Sequence, residues 1–365
     1  MMAIYCAAKV FTGKEILSNH SIITDDTNII IDILPQERLH KNVTQELPVY
    51  PFIVPSFIDI QIYGAGGKLL SANPNSASLF ALKDYCLKGG AAFFLPTVAT
   101  NSYAVFYHCI DAVKQYWKDG GTGCLGLHVE GPWLNPVKRG AHIESYIHIP
   151  TLDNVRPLLD YGKDVIKMIT LAPEVCSNDV IELIQSHHII ISAGHSNATF
   201  QQANEAFNKG IKAITHLYNA MSGLQHREPG LVGASFLHQS VMASIVADGY
   251  HVNFDAIKIA YKQMKGRLFC ITDAVTETAS EPYPHTKDGD KYISNNILSG
   301  SALTMAKALQ NLVNKAGIEL EEALRMVSLY PAKVLGLDDS LGKIEKGYKA
   351  CFTALNNQLD VVEIL

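Results

Sequence analysis

Apolar positions along the chain fall into short runs, and the spacing between the runs changes after about 50 residues. Ile4 to Phe11, Ile16 to Ile23 and Ile29 to Leu34 are separated by Thr12-Gly13-Lys14 and Asp25-Asp26, which predicts a β-rich opening with tight turns. A crossing with Pro48, Pro51 and Pro55 follows. Beyond it, apolar runs of strand length alternate with helical periodicity, the pattern of parallel β/α units.

Eight strands are predicted: Phe57 to Ile62, Ala91 to Leu95, Cys124 to Glu130, Ile166 to Leu171, Ile189 to Gly194, Ala213 to His216, Ala243 to Ala247 and Leu268 to Asp273. Helices are expected at Ser78 to Lys88, Ser102 to Lys118, Asn178 to Ser186, Thr199 to Asn208 and Asp255 to Lys265, with a capping box at Thr199-x-x-Gln202. Two further helical patterns, Thr304 to Ala316 and Leu320 to Leu329, precede a strand-like end from Gly342 to Leu365. The expected architecture is α/β: a distorted (β/α)8 TIM-like barrel over 53–341, beside a small β-sandwich domain built from 1–52 and 342–365.

Composition narrows the partners more than the fold. Of 365 residues 18% are charged and 48% hydrophobic, with 30 Lys+Arg against 35 Asp+Glu, which fits a globular chain and excludes a disordered one. A net charge of -5 provides no long-range attraction for a polyanion, so neither nucleic acid nor an anionic membrane is an expected partner. Gly89 to Ile110 and Pro229 to Ala247 lack charged residues, but Pro96 with Thr97 to Ser102, and His238-Gln239-Ser240, interrupt them; they read as buried barrel segments. Seven scattered cysteines without a C-x-x-C pair, and the absence of a signal-like start, point to reduced thiols and a cytoplasmic location.

Five polar residues fall at the C-terminal ends of different predicted strands: Glu130, His195, His216, Asp248 and Asp273. In a β/α barrel that end carries the active site. His128 and Glu130, two apart, share one strand face. Taken singly, Glu130 reads equally well as a buried acid paired with Lys138 or Arg139, and His195 as a satisfied core histidine. Together Glu130, His195 and His216 form a sufficient protein ligand set for one catalytic divalent metal, zinc first, with iron or another divalent ion open. Asp273, ending the last strand, is placed to take a proton from a metal-activated water and return it to a leaving amine.

From these residues outward the chain resembles the N-acetylglucosamine-6-phosphate deacetylases of the amidohydrolase superfamily. The resemblance runs through Pro55-Ser56-Phe57-Ile58-Asp59, Gly126-Leu127-His128-Val129-Glu130-Gly131-Pro132, Gly140-Ala141-His142, Leu171-Ala172-Pro173-Glu174, Gly194-His195-Ser196 and Thr215-His216-Leu217-Tyr218-Asn219-Ala220-Met221. It continues in Arg227-Glu228-Pro229-Gly230, Ala247-Asp248-Gly249-Tyr250-His251, Thr272-Asp273-Ala274 and Leu298-Ser299-Gly300-Ser301. It implies hydrolysis of the acetamide of an amino-sugar 6-phosphate, with Glu130, His195 and His216 on the metal and Asp273 as general acid/base. It also implies substrate contacts at Ala141, His142, Asn219, Ala220, Arg227, His251, Leu298, Ser299 and Gly300, with Arg227 on the phosphate across a homodimer interface. The galactosamine epimer, another N-acyl amine, and a catalytically inactive sugar-phosphate sensor are the competing readings.

One departure bears on the metal count. Where many amidohydrolases carry His-x-His after the first strand, this chain has Gln61 and Tyr63, neither well suited to a divalent cation, so a mononuclear site is expected. Gly64-Ala65-Gly66-Gly67 fails the G-x-G-x-x-G spacing at Leu69 and predicts a tight turn.

Overall fold

The structure, a computed structural model, describes residues 2–39 and 47–365. Met1 and the part of the expected terminal segment at 40–46 lie outside the described residues. Eight strands form one sheet in sequence order, numbered here β1 (Phe57–Ile62), β2 (Ala91–Ala99), β3 (Leu127–Glu130), β4 (Ile166–Leu171), β5 (Ile190–Ala193), β6 (Ala213–Ile214), β7 (Met242–Val246) and β8 (Leu268–Ile271). Every neighbouring pair is parallel.

The last gap closes just beyond β8. Asp273 N–H donates to Gln61 O at 2.9 Å, and Tyr63 N–H donates to Ala274 O at 2.9 Å. Asp59 reinforces this seam by accepting from the Thr272 N–H at 3.2 Å and hydroxyl at 2.5 Å. Burial pushes the Asp59 carboxyl up to about 7, against these donors. The barrel is thus distorted as expected, since its first and last strands meet through a few irregular bonds instead of a ladder.

Strands from both ends of the chain make a second, seven-stranded sheet in the order Val361–Ile364, Phe352–Leu355, Phe52–Pro55, Ala3–Phe11, Ile16–Thr24 and Ile30–Pro35, with Val49–Tyr50 also on Ala3–Phe11. Its apolar residues, among them Val10, Ile22, Ile53, Ile344 and Phe352, bury a core of their own. Strand Phe52–Pro55 belongs to this sheet and runs through Ser56 straight into β1. Thr353 and Ser56 hydroxyls both donate to Gly90 O, at 2.7 and 3.2 Å, tying the two sheets together.

The helices at Ser76–Lys88, Tyr103–Lys118, Asn178–Ser186, Phe200–Asn208 and Phe254–Met264 surround the barrel. Thr199 caps the fourth of these with the expected box to Gln202. The sequence pattern misses three helices. Leu152–Tyr161 contains Pro157, which reads as a helix breaker. Gly230–Leu237 is buried over most of its length and so has no polar face to reveal a period. Leu329–Leu335 follows Leu320–Val327 after one non-helical residue, Ser328. After β8 a three-stranded sheet, Thr286–Asp288, Lys291–Ser294 and Ile297–Ser301, rises over the barrel mouth with an Asn295-Asn296 turn at positive φ. The glycine turn holds as expected: Gly66 and Gly67, at φ +58° and +78°, join Gly64–Ala65 to Lys68–Leu69.

Candidate active site

At the C-terminal end of the barrel a cavity of about 240 Å³ opens. Glu130 enters it as the last residue of β3. His195 and His216 follow β5 and β6 by two residues, and Asp273 follows β8 by two. These last three have left-handed backbones, with φ of 48°, 35° and 53°. A non-glycine residue held there costs about 1–3 kcal/mol, and such positions cluster where a side chain must be aimed. The strands deliver the side chains to one height, and the strained turns direct them inward.

The three expected ligands converge. Glu130 Oε1 lies 3.3 Å from His195 Nε2 and 3.2 Å from His216 Nε2, and the two ring nitrogens are 3.1 Å apart. Ligands held at about 2.0–2.1 Å around a tetrahedral zinc ion are separated by about 3.3 Å, so this triangle matches one face of such a site. Donor chemistry agrees. His195 Nδ1–H donates to Lys138 O at 2.9 Å, which leaves the Nε2 lone pair facing the triangle. His216 Nδ1 is buried without a protein partner, and two imidazole lone pairs this close repel unless a proton or cation lies between them. Residues and geometry therefore fit a divalent metal.

Around the triangle, Glu130 is held from both sides. Tyr63 OH donates to its Oε2 at 2.5 Å, and His142 Nε2–H donates to the same oxygen at 3.2 Å. The Gln61 amide donates to Asp273 Oδ1 at 2.9 Å and lies 3.2 Å from Glu130 Oε1. Gln61 and Tyr63 thus occupy the His-x-His positions with hydrogen bonds that fix Glu130 and Asp273; sequence reading identified them only as poor ligands. The alternative partners for Glu130 fall away. Lys138 contributes its carbonyl to His195, and Arg139 pairs with Glu144 at 3.3 Å.

Electrostatics follow from this crowding. Burial would raise the Glu130 carboxyl, but His142, His195 and His216 hold it well below the usual carboxylate range. Burial, with His142 adding to it, pushes His195 down to about 4. Burial acts the same way on His216, yet the hydrogen bond and charge of Glu130 and the charge of Asp273 outweigh it and its pKa rises. Asp273 is raised by burial, opposed by His216 and reinforced by Glu130. A raised carboxyl is a better proton acceptor at neutral pH than a free one.

Ala141, His142, Asn219, Ala220, His251, Leu298, Ser299 and Gly300 all line the same cavity. Arg227 does not: it is exposed in the loop between His216 and helix Gly230–Leu237. No Lys or Arg lines the cavity among the described residues. His216, Tyr218 and Ala220 alternate at positive φ, and the loop is held by backbone hydrogen bonds, with Leu217 N–H donating to Ser244 O at 2.8 Å and Asn219 N–H to His216 O at 2.9 Å. Tyr283 and His285 also line the cavity, and sequence reading missed both. They lie just before the three-stranded sheet, in a polar stretch without periodicity. Tyr283 OH donates to Thr100 O at 2.5 Å and accepts from Ile143 N–H at 3.3 Å, pinning that sheet to the loops after β2 and β3. Asp248, which sequence position alone makes equivalent to Asp273, does not line the cavity and instead accepts from His251. His128 sits one layer below, buried, with its ring nitrogens 2.8 Å from Thr170 Oγ1 and 3.2 Å from Ile60 O.

Comparison with known proteins agrees with this geometry. The amidohydrolase family pattern matches residues 52–364. The chain is 33% identical over 350 residues to N-acetylglucosamine-6-phosphate deacetylase of Haemophilus influenzae, covering 93% of this chain and 91% of that protein. It is 28% identical over 371 residues to N-acetylgalactosamine-6-phosphate deacetylase of Escherichia coli, covering 98% and 96%. The crystal structure of N-acetylglucosamine-6-phosphate deacetylase from Pasteurella multocida superposes with a TM-score of 0.92 at 32% identity, covering 100% of this chain and 98% of that one. A metal-fitting triad at the mouth of a (β/α)8 barrel, on a sequence matched from the first barrel strand to the last terminal one, leads to one assignment: the chain belongs to the amidohydrolase family, among its N-acetylglucosamine-6-phosphate deacetylases.

Proposed function

We propose that this enzyme hydrolyses N-acetyl-D-glucosamine 6-phosphate to D-glucosamine 6-phosphate and acetate in amino-sugar catabolism, as a cytoplasmic homodimer with one zinc-class ion per subunit. The observation that carries the reading is the convergence of Glu130, His195 and His216 with Asp273 in one cavity. Glu130, His195 and His216 would hold the ion, which supplies Lewis-acid activation of the water and the amide carbonyl when bound. Asp273, oriented by Gln61, accepts the proton of the attacking water and returns it to the amine nitrogen as the C–N bond breaks. His142, whose Nε2–H is given to Glu130 Oε2, exchanges that acceptor for the developing oxyanion and stabilises it. The loop at Asn219 and Ala220, with His251 and the 298–300 segment, seats the sugar phosphate. Since no Lys or Arg of the chain lines the cavity among the described residues, the phosphate counter-charge is assigned to Arg227 of a second copy.

The test is acetate release from both epimeric N-acetylhexosamine 6-phosphates, with and without chelator. A chelator-sensitive preference for the glucosamine epimer supports the proposal. Preference for the galactosamine epimer would transfer the function to that substrate, in line with the Escherichia coli relative. No release from either epimer by metal-replete protein would support the inactive sensor.

A further inference from the structure

Asp248 and His251 form a buried pair in the loop after β7, with side chains only 3% and 7% exposed. Asp248 Oδ1 accepts from the N–H groups of Tyr250 and His251, at 2.9 and 2.8 Å, and its Oδ2 lies 2.6 Å from His251 Nδ1. The other ring nitrogen, Nε2, meets the carbonyl oxygen of Ser299. A backbone carbonyl only accepts, so Nε2 carries a hydrogen. A carboxylate already held by two N–H donors also accepts, so Nδ1 carries one as well. An imidazole with hydrogens on both nitrogens is a cation. Burial alone would discharge it, and the Asp248 hydrogen bond and charge outweigh burial.

We propose that Asp248 is a positioning residue that keeps His251 doubly protonated and fixes its Nε2–H on the cavity wall, so that His251 is the fixed positive charge this chain itself offers to an anionic substrate. The absence of Lys and Arg from the cavity lining, among the described residues, makes that charge consequential. Its present acceptor, Ser299 O, belongs to the 298–300 segment of the wall, so an anion taking the Nε2–H exchanges one acceptor for a stronger one. Ser299 is braced independently by its hydroxyl, 2.9 Å from His285 Nε2. The inference rests on the sugar-phosphate reading above and assigns a role to a carboxylate that the hydrolysis does not use.

Asp248→Asn is the informative change, because the amide oxygen still accepts both N–H groups and the amide nitrogen donates to Nδ1, leaving a neutral ring with Nε2–H intact. KM for N-acetylglucosamine 6-phosphate should rise on the order of 10-fold, the difference between a charged and a neutral hydrogen bond. The kcat for that substrate, the metal content, and kcat/KM for unphosphorylated N-acetylglucosamine should stay near wild type. A positioning residue acts through its partner, so Asp248→Asn added to His251→Gln should cost nothing further. Unchanged KM, equal losses on the two sugars, or additive losses in the double variant would overturn the inference. Absence of wild-type acetate release would instead overturn the functional reading beneath it. If the Asn variant does not fold, nitrogen-15 spectra of histidine-labelled wild-type enzyme decide: both His251 nitrogens protonated at neutral pH is the expected result, and a neutral ring refutes it.

Discussion

Two layers of the same barrel interior differ by one turn of the pleat. In the lower layer His128 bonds Thr170 at 2.8 Å, Thr170 bonds Thr215 at 2.6 Å, and Thr215 bonds Ser192 at 2.6 Å. The hydroxyls and ring nitrogens pair off across β3 to β6, and burial pushes His128 down to about 4, so it is neutral. Two residues further along β3, Glu130 meets five polar side chains, and two histidine Nε2 atoms sit 3.1 Å apart. Both layers are buried and polar. The lower one is complete within the protein, whereas the upper one concentrates lone pairs on a single point, and that convergence separates a ligand site from a structural network.

The largest expected effect comes from removing one of the candidate metal-binding side chains. His195→Ala should abolish acetate release and reduce bound metal from one per chain to nearly none by elemental analysis, with the fold retained by circular dichroism. Two tightly bound metals per wild-type chain would contradict the mononuclear arrangement around Gln61 and Tyr63. Next in size, Asp273→Asn should keep the metal and lose roughly 10²- to 10⁴-fold in kcat. A near-normal kcat in protein shown free of wild type would remove Asp273 from the proton transfers.

Arg227 belongs to neither layer, and its loss should be smaller. Arg227→Ala should lower kcat/KM for N-acetylglucosamine 6-phosphate about 10- to 150-fold, the value of a charge-assisted hydrogen bond of about 1.5–3 kcal/mol, while sparing the unphosphorylated sugar. Equal losses on both would make Arg227 a loop or interface residue.

In the lower layer the expected effect is on stability instead of rate. His128 protonates near 4 when folded but near its ordinary 6.5 when unfolded. Between those values the unfolded chain binds more protons, so stability is full above about 6.5 and falls as the pH drops towards 4, by about 3 kcal/mol in total. Denaturant titrations at pH 7 and pH 4.5 should show most of that loss, about 2 kcal/mol, and His128→Gln should flatten it. An unchanged slope in the variant would assign the acid sensitivity to other groups.

Much of this was legible in the chain. All eight barrel strands were readable because parallel strands buried on both faces leave unbroken apolar runs. Glu130, His195 and His216 stood out as candidate metal-binding residues because each is a polar side chain at or just past the end of such a run, and the structure brings the three together. Helix Gly230–Leu237 was not, since burial removed its polar face, nor was Leu152–Tyr161, since Pro157 signals a break. Tyr283 and His285 belong to a loop whose chemistry depends on what it covers.

What the sequence determined by itself was therefore the order of strands and helices and the kinds of side chain placed at the strand ends, because periodicity and residue chemistry are local properties. Tertiary structure decided which of those side chains share a point in space. Asp248 and Asp273 end neighbouring strands with the same residue type, yet one is spent on His251 and the other faces the cavity beside Gln61. His128 and Glu130 share a strand face, yet only Glu130 stands at the height where left-handed turns aim His195, His216 and Asp273 inward. Those assignments depend on distances between residues 21 to 212 positions apart, and only closure of the barrel brings such residues together.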